Sequence, residues 1–189
     1  MFDFKIKSGR DFFDEYHKLL FSTVSSVDRE DLVRFAKILK SSTKNNKKAI
    51  IVGNGGSAAI ASHVSVDLTK AAKLRAVNFN EADLITCFGN DYGYENWVTE
   101  ALRAYADPGD VVVLISSSGQ SANIVNAADF AKSWGCDVIT FSGFLPSNPL
   151  RQKGTLNFYA ESDEYNIVEM AHHIWMLAVV DFIIEDLEL

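Results

Sequence analysis

A chain of 189 residues, 48% hydrophobic and 23% charged, has single-domain size and globular composition, which excludes disorder as its main state. Eighteen basic against 25 acidic side chains give a net charge of −7 without a long basic run, which argues against a phosphate-neutralising nucleic-acid face. Cys87 and Cys136 support neither a disulfide framework nor a CxxC metal pair, and the polar N-terminal segment carries no apolar leader, so a cytoplasmic protein is expected.

Two amphipathic helices are predicted first. Phe12, Phe13, Tyr16, Leu19, Leu20 and Val24 recur at helical spacing, as do Leu32, Phe35, Ala36 and Leu39, with Asp28 placed to cap the second. From residue 49 the period changes. Short unbroken apolar runs at 49–52, 76–79, 111–116, 138–141 and 156–160 predict strands covered on both faces, the parallel arrangement. Helices are predicted between them at 58–73, 95–106 and 121–134, and a last one from Tyr165 to about Leu187. The longest apolar stretch, 174–184, is interrupted by Asp181 and too short to span a bilayer, so no membrane association is expected. Alternating strands and helices predict a doubly wound α/β sheet, in which ligands bind beyond the carboxyl ends of the strands.

Two loops sit at such ends. Gly53-Asn54-Gly55-Gly56-Ser57 lets a ligand approach the backbone, next to the unpaired N–H groups of a helix start. Ser116-Ser117-Ser118-Gly119-Gln120-Ser121 gathers hydroxyl and N–H donors suited to a phosphate monoester. Neither is followed by a Walker lysine, which argues against a nucleoside triphosphate. Gly53, Gly55 and Ala58 also fit a dinucleotide fingerprint, but that reading wants an acid at the end of the next strand, where Asn78-Phe79-Asn80 stands before Glu81.

These loops, with His63, the run Gly89-Asn90-Asp91-Tyr92-Gly93 and Ala122-Asn123, make the chain resemble the sugar isomerase (SIS) domain family, and within it the phosphoheptose isomerases. The resemblance runs from about residue 30 onward. It implies a three-layer, flavodoxin-like α/β sandwich with a five-stranded parallel sheet plus N-terminal helices. One domain over 1–189 is expected, with 1–45 serving oligomerisation and 46–189 forming the core. The implied activity is aldose–ketose isomerisation of a sugar phosphate such as sedoheptulose 7-phosphate, for surface-polysaccharide precursors. A homotetramer with sites between subunits is implied as well. The rival reading is a non-catalytic phosphosugar-binding module, acting as sensor or protein-binding scaffold.

Carried over residue by residue, the resemblance implies that Asn54, Gly55, Gly56 and Ser57 contact the sugar phosphate. Asn90 and Asp91, read as a third loop, hold sugar hydroxyls, and Ser116, Ser117, Ser118 and Ser121 cradle the phosphate. Moving a proton between neighbouring carbons through an enediol needs acid and base groups or a polarising metal. Metal-dependent relatives use a His and an acid on the first core helix, then Gln and His on the last. The corresponding residues are His63 and Asp67, then Glu169 and Leu177. Asp67 and Glu169 are therefore the expected acid/base pair, assisted by His172 or His173. Zinc on His63, Asp67 and Glu169 is the metal site the resemblance allows, and Leu177 breaks its pattern.

Overall fold

The computed structural model describes residue 4 and residues 8–185. Helix α1 (Gly9–Ser25) opens on Ser8, whose hydroxyl accepts from the Asp11 amide at 3.2 Å. Helix α2 (Arg29–Lys44) follows Asp28, whose carboxylate accepts from the Glu30 amide at 2.9 Å, so the predicted cap is in place.

The core then alternates: β1 (Ala49–Gly53), α3 (Gly56–Lys70), β2 (Ala76–Asn78), α4 (Ala82–Tyr92), α5 (Trp97–Tyr105), β3 (Val111–Ser116), α6 (Ala122–Ser133), β4 (Asp137–Ser142), β5 (Leu156–Tyr159) and α7 (Tyr165–Ile184), with one 3-10 turn at Leu150–Gln152. All five strands pair in parallel in the order β2-β1-β3-β4-β5. This is the flavodoxin-like order, and it reverses between β1 and β3, where a doubly wound sheet opens a crevice.

Every residue of β1 and β3 is buried, because helices cover both faces. Successive strand residues point to opposite sides. Ile51, Val113 and Ile139 therefore meet Phe35 and Leu39 of α2, Val64 and Leu68 of α3 and Trp175 of α7. Ile50, Val52, Val112 and Leu114 meet Trp97 and Leu102 of α5 and Ile124 of α6. Burying each such aliphatic side chain contributes about 1.5–3 kcal/mol. The three-layer reading holds.

Two expectations are corrected. Residues 82–92 form a helix, so Asn90 and Asp91 lie on its last turn rather than in a loop. The apolar stretch near the end belongs to α7, whose 20 residues have a mean hydropathy of 1.7, long and apolar enough by composition to cross a bilayer. Half of it is buried within the protein, where Trp175 also donates its indole N–H to the Val24 carbonyl at 2.9 Å, so here it is a core helix. Within the described residues α7 ends at Ile184, and the predicted end near Leu187 lies outside them.

Candidate functional site

The turns after β1 and β3 converge at the point where strand order reverses. Asn54, Ser57, Ser116, Ser117, Ser118 and Ser121 line one narrow cavity of about 120 Å³, closed on its other side by Tyr165 and Glu169 of α7. Both loops read as ligand-binding thus face the same space.

Each loop is held by its own backbone and by the other. Gly55 (φ +55°) turns the chain into α3, and Gly119 (φ +65°) does the same before α6. Both are left-handed conformations that only glycine adopts without strain. A Cβ on Gly119 would also overlap the Asn148 amide. That amide is buried: it donates to the carbonyls of Gly143 (3.1 Å) and Leu145 (2.9 Å) and accepts from the Arg151 amide at 3.0 Å. Across the crevice, Asn54 and Asn123 exchange two hydrogen bonds of 3.0 and 2.9 Å, and Tyr94 donates its hydroxyl to Asn54 at 3.1 Å. The side chain of Asn54, expected on the sugar phosphate, is committed to this clasp.

Within the cradle Ser116 and Ser121 share a hydrogen bond of 3.0 Å, and Ser118 accepts from the Gln120 amide at 3.3 Å. Ser117 is different: its hydroxyl is buried and has no partner. An unpaired buried hydroxyl costs about 1–3 kcal/mol, a cost that an anion accepting its proton would remove. Ser117→Ala should therefore leave the melting temperature unchanged or raised. The same change should weaken phosphate binding by about 1.5–3 kcal/mol, as for a charge-assisted contact. Calorimetry with inorganic phosphate and a thermal melt check both; undiminished affinity would remove this hydroxyl from the site.

Glu169 is the acid of the cavity. Its carboxylate lies over Gly56, where a Cβ would overlap it, and burial raises its pKa above the ordinary carboxylate value. Gly56 is thus needed for close approach rather than for flexibility. Asp67 does not line this cavity; it stands further along α3, with Oδ2 3.2 Å from Nε2 of His63.

The two histidines of α7 separate cleanly. His172, expected beside Glu169 as an assistant, is fully buried against Phe141 and Trp175 and donates Nε2–H to the Ser142 carbonyl at 3.0 Å. Burial pushes its pKa down to about 4, so it is a neutral packing residue and not a catalytic one. Its neighbour His173 turns toward α3 and meets Nδ1 of His63 at 2.9 Å.

Two other expected groupings are not brought together within a single chain. Asn90 and Asp91 are exposed on α4, bonded to each other at 2.9 Å, and do not line the cradle. The ligand set His63, Asp67 and Glu169 does not assemble. Asp67 faces Nε2 of His63 and His173 faces its Nδ1, whereas Glu169 lines the cradle and Leu177 packs against the core. Among the described residues no group of three or more His, Cys, Asp or Glu side chains could hold a metal. A four-coordinate zinc site does not fit this donor set. The dinucleotide reading loses its acid as well: Asn78 caps the Asn80 amide and donates to Ser65, while Glu81 is exposed.

Sequence reading gave no role to Asn123, which it named only for the resemblance, or to Tyr94 and Asn148. Asn123 was within view beside the serine loop, but nothing in the chain signals a partner 69 positions away.

Residues 11–143 match the SIS domain family. A phosphoheptose isomerase of Aliarcobacter butzleri is 34% identical over 133 residues, covering 67% of this chain and 70% of the relative. A probable phosphoheptose isomerase of Thermoplasma acidophilum is 34% identical over 154 residues, covering 78% and 84%. Among solved structures, a phosphoheptose isomerase from Francisella tularensis superposes with a TM-score of 0.85 at 23% identity, over 95% of this chain and all of that one (100%), a likeness of fold.

Proposed function

Because this chain belongs to the SIS domain family, we propose that it is a phosphosugar aldose–ketose isomerase of the phosphoheptose isomerase type. The observation that carries the reading is one cavity in which a cluster of serines and a buried-side carboxylate face each other. The serines and the first amides of α3 would take the phosphate, with the helix N-terminus adding its positive end. Glu169, made more basic by burial, would remove the proton α to the carbonyl and return it to the neighbouring carbon. Sedoheptulose 7-phosphate is the substrate we expect. A coupled turnover assay over sugar phosphates of five to seven carbons tests this, run with and without EDTA. Turnover that survives chelation is expected from the donor set; activity lost to EDTA and restored by zinc would overturn the metal-free reading, and no turnover with any sugar would overturn the isomerase reading.

The second reading, a phosphosugar-binding module without catalysis, is favoured by one observation: Leu177 stands where the resemblance implies a histidine. It predicts phosphate binding in the absence of turnover.

We propose further that the working unit is a cytoplasmic homotetramer. A pocket for a small molecule usually offers about 300 Å³ or more, and the cradle offers about 120 Å³. Phe13 and Phe21 of α1 are 61% and 75% exposed, and Tyr92 at the end of α4 is 51% exposed. Apolar surface of this kind usually buries against a partner. Packing of these helices between copies would bring Asn90 and Asp91 to a neighbour's cradle. Light scattering should report four chains at micromolar concentration; a monomer would contradict the proposal.

A further inference from the structure

Tyr165 opens α7 and stands one turn before Glu169 on the same face of the helix. These two residues line the α7 side of the cradle, and their chemistry is opposite. An ionised carboxylate only accepts hydrogen bonds, whereas a phenol donates one. A phosphate in the serine loop is therefore repelled by Glu169, and on that side only Tyr165 can attract it. Among the described residues lining the cavity there is no Lys or Arg, so each neutral donor matters more. The hydroxyl of Tyr165 is also uncommitted. Tyr94 donates its own to Asn54 at 3.1 Å, and Tyr159 donates to the Phe144 carbonyl at 2.7 Å. That of Tyr165 has no partner among the described residues, and the residue is 59% exposed.

The ring of Tyr165 is supported as well. It meets Phe144 edge-on, with centroids 4.7 Å apart and planes crossing at 61°. Phe144 stands two residues after the end of β4 with φ +59°, a left-handed backbone that an aromatic residue adopts only under strain. Such strain persists where the surrounding contacts over-determine the conformation. Here the Phe144 amide donates to the Ser162 carbonyl at 2.8 Å, and the Phe144 carbonyl accepts from Tyr159. The amide of Gly143, just before it, donates to the Ser117 carbonyl at 2.9 Å. A Cβ on Gly143 would overlap Val168 of α7, so the segment is pressed close to that helix. One chain of contacts thus runs from Ser117 in the cradle through Gly143 and Phe144 to Tyr165.

We propose that Tyr165 is a phosphate-binding residue of the cradle, its hydroxyl donating to the bound phosphate from the α7 side, and that Phe144 is the residue that positions it. This rests on the phosphosugar reading of the cradle and supplies a donor on a wall that otherwise presents a carboxylate. It also orders the substrate along α7. Tyr165 is tied to the serine loop, and Glu169 lies over Gly56 at the start of α3, so phosphate and reacting carbons are met by successive turns of one helix.

Calorimetry with inorganic phosphate reads the donor without any turnover. Tyr165→Phe keeps the ring and its contact with Phe144 but deletes the hydroxyl. Its dissociation constant should rise about tenfold or more, as for a lost hydrogen bond to a charged group, while the melting temperature stays unchanged because the hydroxyl is exposed. Phe144→Gly keeps the left-handed backbone and deletes the support. It should weaken phosphate binding severalfold in the wild type and no further in Tyr165→Phe, since the two changes remove one shared interaction. Wild-type affinity in either single variant, or a loss from Phe144→Gly that persists in Tyr165→Phe, would overturn the proposal. If Ser117→Ala loses affinity and Tyr165→Phe does not, the cradle stands and Tyr165 has no part in it. If the wild type binds no phosphate, the cradle reading falls and this proposal falls with it.

Discussion

Glu169→Gln is expected to lower kcat by about 10²–10⁴, the range that general base catalysis supplies. Glutamine matches the shape of glutamate, so it should still fit over Gly56, where any added bulk on the glycine would collide. It cannot take a proton from carbon. The cradle hydroxyls are untouched, so affinity for inorganic phosphate should change little, and KM for the sugar phosphate only slightly. A fall in kcat with KM preserved marks an interaction made in the transition state. The wild type offers a second reading of the same group. Burial raises the Glu169 pKa, so the acid limb of kcat/KM should lie above the ordinary carboxylate value of about 4.3. Turnover in Glu169→Gln within a few-fold of the wild type would remove Glu169 from the chemistry.

Acid should destabilise the fold through a different residue. His172 is fully buried and its pKa is pushed down to about 4, against about 6.5 in an unfolded chain. Between those values the unfolded chain binds a proton that the folded one refuses. The stabilisation is fully present above about pH 6.5 and is lost as pH falls toward 4, amounting to about 3 kcal/mol. Urea midpoints across that window should fall in the wild type. His172→Asn keeps a donor for the Ser142 carbonyl and does not titrate, so its midpoints should fall less steeply. Equal slopes in the two proteins would show that other groups carry the acid sensitivity.

What the sequence made legible depended on whether local chemistry or remote packing decided each feature. The strands were readable because residues such as Val111–Ile115 have no polar member, and such a run is stable only between two covered faces. The two loops were readable because glycine and serine clusters after strands have a backbone and donor chemistry of their own. Helix α4 was hidden by Gly89 and the Asn90-Asp91 pair, residues that favour turns but stand here near a helix end. His172 and His173 could not be told apart, since neighbours on a helix point about 100° apart and only the packing of α7 decides which faces inward. The ligand pattern was half legible: Leu177 interrupts it in the sequence, while the contacts of His63 with both Asp67 and His173 needed α3 and α7 side by side.

The paired amides of Asn54 and Asn123 bear on how the cradle tells one anion from another. Carboxamides do not ionise, so the spacing between the two turns is indifferent to pH and barely touched by salt. The pair therefore behaves as a gauge set to one width, and a ligand is accepted by dimension before it is accepted by charge. Acid that protonates Glu169 leaves this pairing of amides untouched. Anchoring and reaction are then separate faculties lodged in separate side chains, and a lineage could keep the first while altering the second by substitution at Glu169 alone.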